Sequence, residues 1–171
     1  MFEHAIEVGD GDIDMLGHAS NIAFLRWIQE SAIAHSVAMG LDVEAYRRIG
    51  AFFVVRRHEV DYLRPARRGD SLLMRTWIDS AAAAKVERVT EFVRQDGASP
   101  LRAGLSTPGS GSMVAKARTT WGFVEGTTGR PTRIPDDIRV AFGFAPRKSS
   151  ILPASGEAPP ERRPLARLAG E

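Results

Sequence analysis

Ten residues near the N-terminus, 12–21, bring together side chains that can do acid–base or nucleophilic chemistry. They are two carboxylates, a turn-forming glycine, an imidazole and an amide: Asp12, Asp14, Gly17, His18 and Asn21. The apolar run from Ile22 predicts a buried helix, and Asn21 can cap its first turn. A helix N-terminus offers unpaired N–H groups to an oxygen that gains negative charge. A carboxylate held in front of it can attack or activate water, so the stretch has the parts of a catalytic site.

Three aspartates at alternate positions, Asp10, Asp12 and Asp14, also match the first three ligand positions of an EF-hand calcium loop. The match then fails, because Met15 stands where the loop requires glycine and Asn21 where it requires glutamate. The four histidines are scattered without paired ligand spacing, which argues against zinc. The sequence contains no nucleophile-elbow motif, which argues against a Ser-His-Asp triad. We therefore predict no metal site.

The composition of the chain excludes several classes of protein. The 171 residues fit one domain, and 43% hydrophobic residues suffice for a sizeable core. A formal net charge of +2 gives no general attraction to nucleic acid or anionic membranes. The absence of cysteine excludes disulfides and cysteine nucleophiles. No apolar run approaches the ~20 residues of a membrane span, and no signal-peptide pattern opens the chain. We expect a cytoplasmic protein that binds neither nucleic acid nor membrane.

The predicted elements follow the order strand, long helix, short helix, then four strands. Strands are predicted over residues 2–8, 51–63, 71–80, 85–94 and 113–124, and helices over 21–39 and 43–49. Strands that follow each other through hairpins form an antiparallel sheet, one face of which must cover the long helix. That helix is apolar on most sides, which predicts burial all round. The fold class is α+β, and dimerisation would protect the open sheet edges.

Two motifs resemble a known family. The pattern Asp12-x-Asp14-x-x-Gly17-His18-x-x-Asn21, with the helix after it, resembles the opening motif of the hotdog-fold acyl-CoA thioesterases, nearest the 4-hydroxybenzoyl-CoA thioesterase type. Residues 54–66, followed by Gly69-Asp70, resemble its second signature. With the strand order, the resemblance covers about residues 1 to 142. It implies a five-stranded antiparallel sheet wrapped around a long central helix, in dimers whose sheets join, often paired into tetramers.

The resemblance also implies roles for single residues. Asp14 falls on the catalytic carboxylate, as nucleophile or as general base to water. Asn21 falls on the residue whose backbone N–H polarises the thioester carbonyl. Gly17 would let the backbone turn sharply between them. His18 either contacts the thioester or packs as a loop histidine.

Four further residues are candidates for substrate binding. Arg64, Arg67 and Arg68 form a basic cluster at a turn, where arginine forks suit the phosphates of coenzyme A. A solvated basic turn is the alternative. Glu59 lies on a strand near the expected dimer seam, and a salt bridge with Arg57 or Arg64 is its alternative role.

The resemblance and the composition together predict the domain organisation. The resemblance implies a thioesterase domain over residues 1–144. Residues 96–112 are rich in glycine and proline between two strands and predict a flexible insertion, either disordered or a lid over an acyl or nucleotide pocket. Residues 145–171 are rich in Pro, Ala and Arg, without an apolar period, and predict a disordered tail.

The expected activity is hydrolysis of the thioester of an acyl-CoA or an acyl-carrier protein, with no cofactor beyond the coenzyme A of the substrate. A dehydratase or hydratase on the same fold is a rival. No His-Phe-Pro-like loop occurs, however, and Glu30, the one acid of the long helix, lies on its polar strip. A non-catalytic acyl-CoA-binding module is the second rival. Such regulators usually carry a DNA-binding segment before the domain, whereas Met1 stands almost on the first strand.

Overall fold

The computed structural model describes residues 1–95 and 111–146. Its elements are β1 (Phe2–Glu7), a short 3-10 turn (Asp10–Asp12), α1 (Asn21–Ala38), α2 (Val43–Ile49), β2 (Ala51–Tyr62), β3 (Ser71–Ala81), β4 (Lys85–Gln95), β5 (Gly111–Glu125) and α3 (Asp136–Ala141). The predicted strands and helices all occur, with bounds that differ from prediction by at most two residues. Nearly all of the predicted insertion and tail lies outside the described residues. The last two insertion positions, Gly111 and Ser112, belong to β5.

The five strands form one antiparallel sheet in the order β1-β3-β4-β5-β2. Strands β3, β4 and β5 are neighbours in sequence and in space, whereas β2 crosses to the far edge and pairs with β5. The 12-residue β2 is therefore an open edge, and the six-residue β1 is the other. This sheet, with helix α1, confirms the α+β prediction.

Helix α1 packs one face on the sheet. Its buried residues recur at helical spacing, namely Ala23, Phe24, Trp27, Ile28, Ser31, Ala32 and His35. The opposite arc carries Ile22, Ile33 and Val37, which are exposed. The prediction that α1 is buried on all sides is therefore wrong for the single chain, because one sheet of five strands contacts only one arc of a helix. With 18 residues, α1 is about 27 Å long.

The inner face of the sheet has a polar layer between two apolar clusters. Strand β4 shows this directly, because residues two apart face the same side. Phe92 belongs to one cluster and Val86 to the other. Between them lie Thr90 and Arg88, both buried. The polar side chains are thus held inside the fold and must find partners there.

Helix α3 closes the second cluster and was not predicted, because six residues are too few to show a helical period. Its Ile138 packs with Ile134 and Phe123. The guanidinium of Arg139 donates to the carbonyl of Ala82 at 3.1 Å. Within residues 1–95 and 111–146, no helix is long and apolar enough to cross a bilayer.

Candidate active site

Asp12 anchors the loop before α1. Its side chain is buried, with 7% of the residue exposed. One carboxylate oxygen accepts the N–H of Gly9 at 2.9 Å, and the other pairs with the guanidinium of Arg26 on α1. The Asp12 carbonyl accepts the N–H of Ser20 at 2.8 Å. These contacts tie both ends of the loop to the helix, which agrees with a supporting role for Asp12.

The loop reverses direction between Asp14 and His18. The N–H of Asp14 donates to the carbonyl of His18 at 2.9 Å, and the N–H of Gly17 donates to the carbonyl of Asp14 at 3.0 Å. Gly17 has φ of 75°, a left-handed conformation that glycine adopts at low cost. The sharp turn expected at Gly17 is therefore present. The N–H of Ala19 donates to the carbonyl of Ala66, which docks the loop on the segment after β2.

The Asp14 carboxylate is exposed and held by one oxygen. That oxygen accepts the N–H of Leu16 at 2.8 Å, a local turn of the kind aspartate commonly forms. The other oxygen has no hydrogen bond in the part of the chain described. Apolar side chains beside it are also exposed, with Met15 at 98% and Ile22 at 78%. Within residues 1–95 and 111–146, the side chain of Asp14 is therefore open to solvent.

The N-cap of α1 lies one residue before the predicted cap. Ser20 is the N-cap, since its backbone is extended and its hydroxyl accepts the N–H of Ala23 at 3.1 Å. The prediction that Asn21 caps the helix is wrong, because Asn21 is already the first helical residue. The backbone N–H groups of Asn21 and Ile22 have no acceptor among the described residues. They are the unpaired groups expected at a helix N-terminus.

The remaining candidates are divided between two places. The basic turn lies beside the start of the loop, because the N–H of Val8 donates to the carbonyl of Asp70 at 2.9 Å and the carbonyl of Val8 accepts the N–H of Gly69 at 2.8 Å. Arg68 pairs there with Asp10 at 2.8 Å. Arg64 instead donates to the carbonyl of Met113 on β5 at 2.7 Å.

Three further candidates have no side-chain hydrogen bond or ion pair with another candidate residue in the described structure. The side chain of Arg67 has no ion pair in the described structure, although its N–H donates to Asp70 at 2.8 Å. Glu59 pairs with Arg57 on the open strand β2, which is the structural alternative foreseen for it. The half-buried ring of His18 has no hydrogen bond within residues 1–95 and 111–146.

Sequence reasoning missed a second polar site, built on the buried Arg88. Its Nη1 donates to Nδ1 of His35 at 3.0 Å and to the hydroxyl of Thr76 at 3.2 Å. Burial and the neighbouring Arg88 charge lower the pKa of His35 to about 4, so this ring is neutral at pH 7. The available signal was the period of two along β4, which places Arg88 on the inner face with Val86 and Phe92.

The model of the thioesterase-like superfamily matches residues 8–142. The chain belongs to this superfamily. The matched range includes both motifs that carried the resemblance, namely the loop before α1 and residues 54–66 with Gly69-Asp70. No curated protein matches the sequence.

Solved structures share the fold. A 1,4-dihydroxy-2-naphthoyl-CoA thioesterase from Synechocystis is 20% identical, with 82% of this chain and 94% of that chain covered and a TM-score of 0.67. A gentisyl-coenzyme A thioesterase is 17% identical, covers 82% and 98%, and has a TM-score of 0.66. A Staphylococcus aureus protein solved with CoA is 13% identical, covers 82% and 80%, and has a TM-score of 0.70.

The TM-scores of 0.67, 0.66 and 0.70 show that this chain shares the hotdog fold with these structures. Together with membership of the superfamily, the neighbours support a thioester hydrolase.

Proposed function

We propose that this protein hydrolyses the thioester of an acyl-CoA, with the carboxylate of Asp14 and the backbone N–H of Asn21 as the reacting and stabilising groups. One observation carries the proposal: a carboxylate oxygen and a helix-terminal N–H, both without partners in the described structure, lie on one short hydrogen-bonded loop. The contacts of Asp12 hold the backbone of the loop that carries both groups. Membership of the thioesterase-like superfamily supports the same chemistry.

The reaction needs few groups. In one route, Asp14 attacks the thioester carbon, the carbonyl oxygen becomes negative beside the Asn21 N–H, and the C–S bond breaks to release thiolate. Water then hydrolyses the mixed anhydride and regenerates the carboxylate. In the other route, Asp14 takes a proton from a water that attacks the same carbon. Both routes consume one water and yield a carboxylic acid and a thiol, because the thiolate takes up the released proton.

The coenzyme A portion would lie toward the basic turn. Arg67 and Arg68 are exposed beside the loop and suit phosphate oxygens. Two fold neighbours are named as thioesterases of aromatic acyl-CoAs, so aromatic acyl groups are the first class to test. An acyl-carrier protein in place of coenzyme A is the alternative carrier.

A second copy of the chain is part of the proposal. The apolar side chains of Met15, Leu16 and Ile22 are exposed around the candidate site. Strand β2 presents an open edge of 12 residues, a surface that proteins commonly pair or cover. A homodimer, or a tetramer built from it, would cover this edge and supply the missing wall beside Asp14.

Thiol release from a panel of acyl-CoAs tests the catalytic residue. Asp14→Asn keeps the shape and the oxygen that accepts the Leu16 N–H, but loses the charge. We expect turnover to fall at least ~100-fold, which is the lower range for a positioned acid–base group. Asp79→Asn is the matched control, because Asp79 is an exposed aspartate paired with Arg118. Full activity of the Asp14→Asn protein would remove this residue from the mechanism.

A single turnover in ¹⁸O-labelled water separates the two routes. With enzyme in excess, attack by Asp14 followed by water addition at the aspartyl carbon places the label in Asp14 and leaves the first acid unlabelled. Direct attack by water places the label in the acid. Label in a peptide containing Asp14 therefore supports the nucleophile.

A further inference from the structure

A cavity of about 210 Å³ lies between the C-terminal half of α1, helix α2 and the inner face of the sheet. Its walls are mostly apolar, with Ile33, Phe53 and Trp121 among them. The volume exceeds the ~150 Å³ of an engineered apolar cavity that binds benzene. A molecule with a single ring and one small substituent fits this space.

The cavity is separate from the loop of Asp14. Ala32 and Ser36 line it, and they stand 11 and 15 residues after Asn21 on the same helix. At 1.5 Å per residue, these positions are about 16 and 22 Å along α1 from the candidate active site. The cavity is therefore not part of the candidate active site.

A buried cation borders this cavity without a counter-charge. Arg88 is 4% exposed and lines the cavity. Within the described structure, the guanidinium of Arg88 makes hydrogen bonds only from Nη1, to the neutral side chains of His35 and Thr76. No carboxylate forms an ion pair with it within residues 1–95 and 111–146. Burial lowers the pKa of Arg88 to about 10, so the guanidinium still carries its charge at pH 7.

Two further polar groups line the same cavity. The indole Nε1 of Trp121 is buried with no hydrogen bond among the described residues. The hydroxyl of Tyr46 is buried beside Ser36, and burial raises its pKa, which keeps this hydroxyl protonated and able to donate. Asp42 at the rim is exposed, and its carboxylate accepts the N–H of Ala45 at the start of α2. Buried donors without acceptors are costly, so such a site favours an acceptor-rich guest.

We propose that this cavity binds a small monocarboxylate with an apolar body, such as a single-ring aromatic acid. The carboxylate lies against Arg88, where both oxygens accept charge-assisted hydrogen bonds. The ring lies among the apolar walls near Val86 and Phe53. The acid that thioester hydrolysis releases has this chemistry, although binding at Arg88 does not depend on catalysis at Asp14.

A titration of the full chain with 4-fluorobenzoate, in which ¹⁹F NMR measures binding, tests the proposal. The neutral probe 4-fluorotoluene has the same ring and nearly the same size. We expect 4-fluorobenzoate to bind at least ~10-fold more tightly than 4-fluorotoluene, as a charge-assisted hydrogen bond to a buried arginine would give. Arg88→Met should remove this preference, whereas Arg118→Met, at an exposed arginine of β5, should keep it.

A second variant tests the place of binding if Arg88→Met does not fold. Ser36→Trp fills the cavity from a half-buried position on α1 and should abolish binding of both probes. Asp14→Asn should bind 4-fluorobenzoate as the unmodified protein does, which separates this proposal from the catalytic one. Equal affinity for the two probes, no binding to the unmodified protein, or unchanged binding in folded Ser36→Trp would overturn it.

Discussion

Asp12 and Asp14 are two residues apart, yet the structure predicts opposite consequences for their removal. Asp12 is buried and makes contacts to Gly9 and Arg26 through both carboxylate oxygens. Asp14 is exposed and accepts one local hydrogen bond, from Leu16. We expect Asp12→Ala to cost stability and Asp14→Ala to cost activity.

The magnitudes follow from the hydrogen bonds and the ion pair that each substitution removes. A hydrogen bond to a charged group contributes about 1.5–3 kcal/mol, and Gly9 loses such an acceptor in Asp12→Ala. The ion pair with the half-exposed Arg26 adds about 0.2–1 kcal/mol. The total for Asp12→Ala is about 2–4 kcal/mol. Asp14→Ala removes one exposed local hydrogen bond, worth at most about 1 kcal/mol.

Urea unfolding at one protein concentration measures the free energy difference. With a slope of about 2 kcal/mol per molar urea, Asp12→Ala should lower the midpoint by about 1–2 M, and Asp14→Ala by no more than about 0.5 M. Asp12→Asn, which can still accept from Gly9, should lie between the unmodified protein and Asp12→Ala. Thiol release on the same samples should show the larger loss for Asp14→Ala.

The comparison can fail in a definite way. Equal midpoint shifts for Asp12→Ala and Asp14→Ala would mean that the buried carboxylate does not anchor the loop. The account of how the chain positions Asp14 and Asn21 would then be wrong, whatever the activities of the two variants.

Three further predictions concern residues around the two sites. Because the pKa of His35 falls from 6.5 to about 4 on folding, the unfolded chain binds more protons between these values. The free energy of unfolding should therefore drop by about 3 kcal/mol as pH falls from about 6.5 to 4. Urea unfolding should show a weaker pH dependence for His35→Gln and an unchanged one for the control His4→Gln. Ser20→Ala removes the acceptor at the helix N-cap and should cost about 1 kcal/mol in the same assay, with no cost if Asn21 were the cap. Gly17→Ala forces a side chain into φ of 75° and should cost about 1–2 kcal/mol by thermal unfolding, whereas a neutral result would mean that the turn relaxes.

The loop before α1 shows where sequence reasoning succeeds and where it stops. Gly17 could be predicted as the turn, because glycine accepts a left-handed backbone without cost. Ser20 and Asn21 are both good capping residues, so residue type alone could not choose between them. The choice depends on which side chain faces the N–H of Ala23, and in the folded loop, whose Ala19 and Ser20 N–H groups are bonded to Ala66 and Asp12, that side chain is Ser20.

The interior shows a similar limit. Both arcs of α1 are apolar, and the sequence could not tell which arc the sheet would cover. Arginine is rarely buried, so the residue type favours an exposed Arg88. The alternation of side chains along β4 instead places it on the inner face. Its partners, His35 and Thr76, come from α1 and β3, and only the folded chain brings them together.

Exposure of Asp14 in the single chain bears on the proposed chemistry. An N–H group stabilises a developing oxyanion strongly only where water is excluded, because the effective dielectric constant there is low. The loop supplies both groups but leaves them in solvent, and the apolar side chains of Met15 and Ile22 stand uncovered around them. Residues 1–95 and 111–146 leave both groups uncovered, so we expect shielding from the acyl group itself or from a second copy joined through the open edge of β2. The two sources differ in one consequence: shielding by a second copy makes activity per chain fall on dilution as the dimer dissociates, whereas shielding by the acyl group leaves it constant.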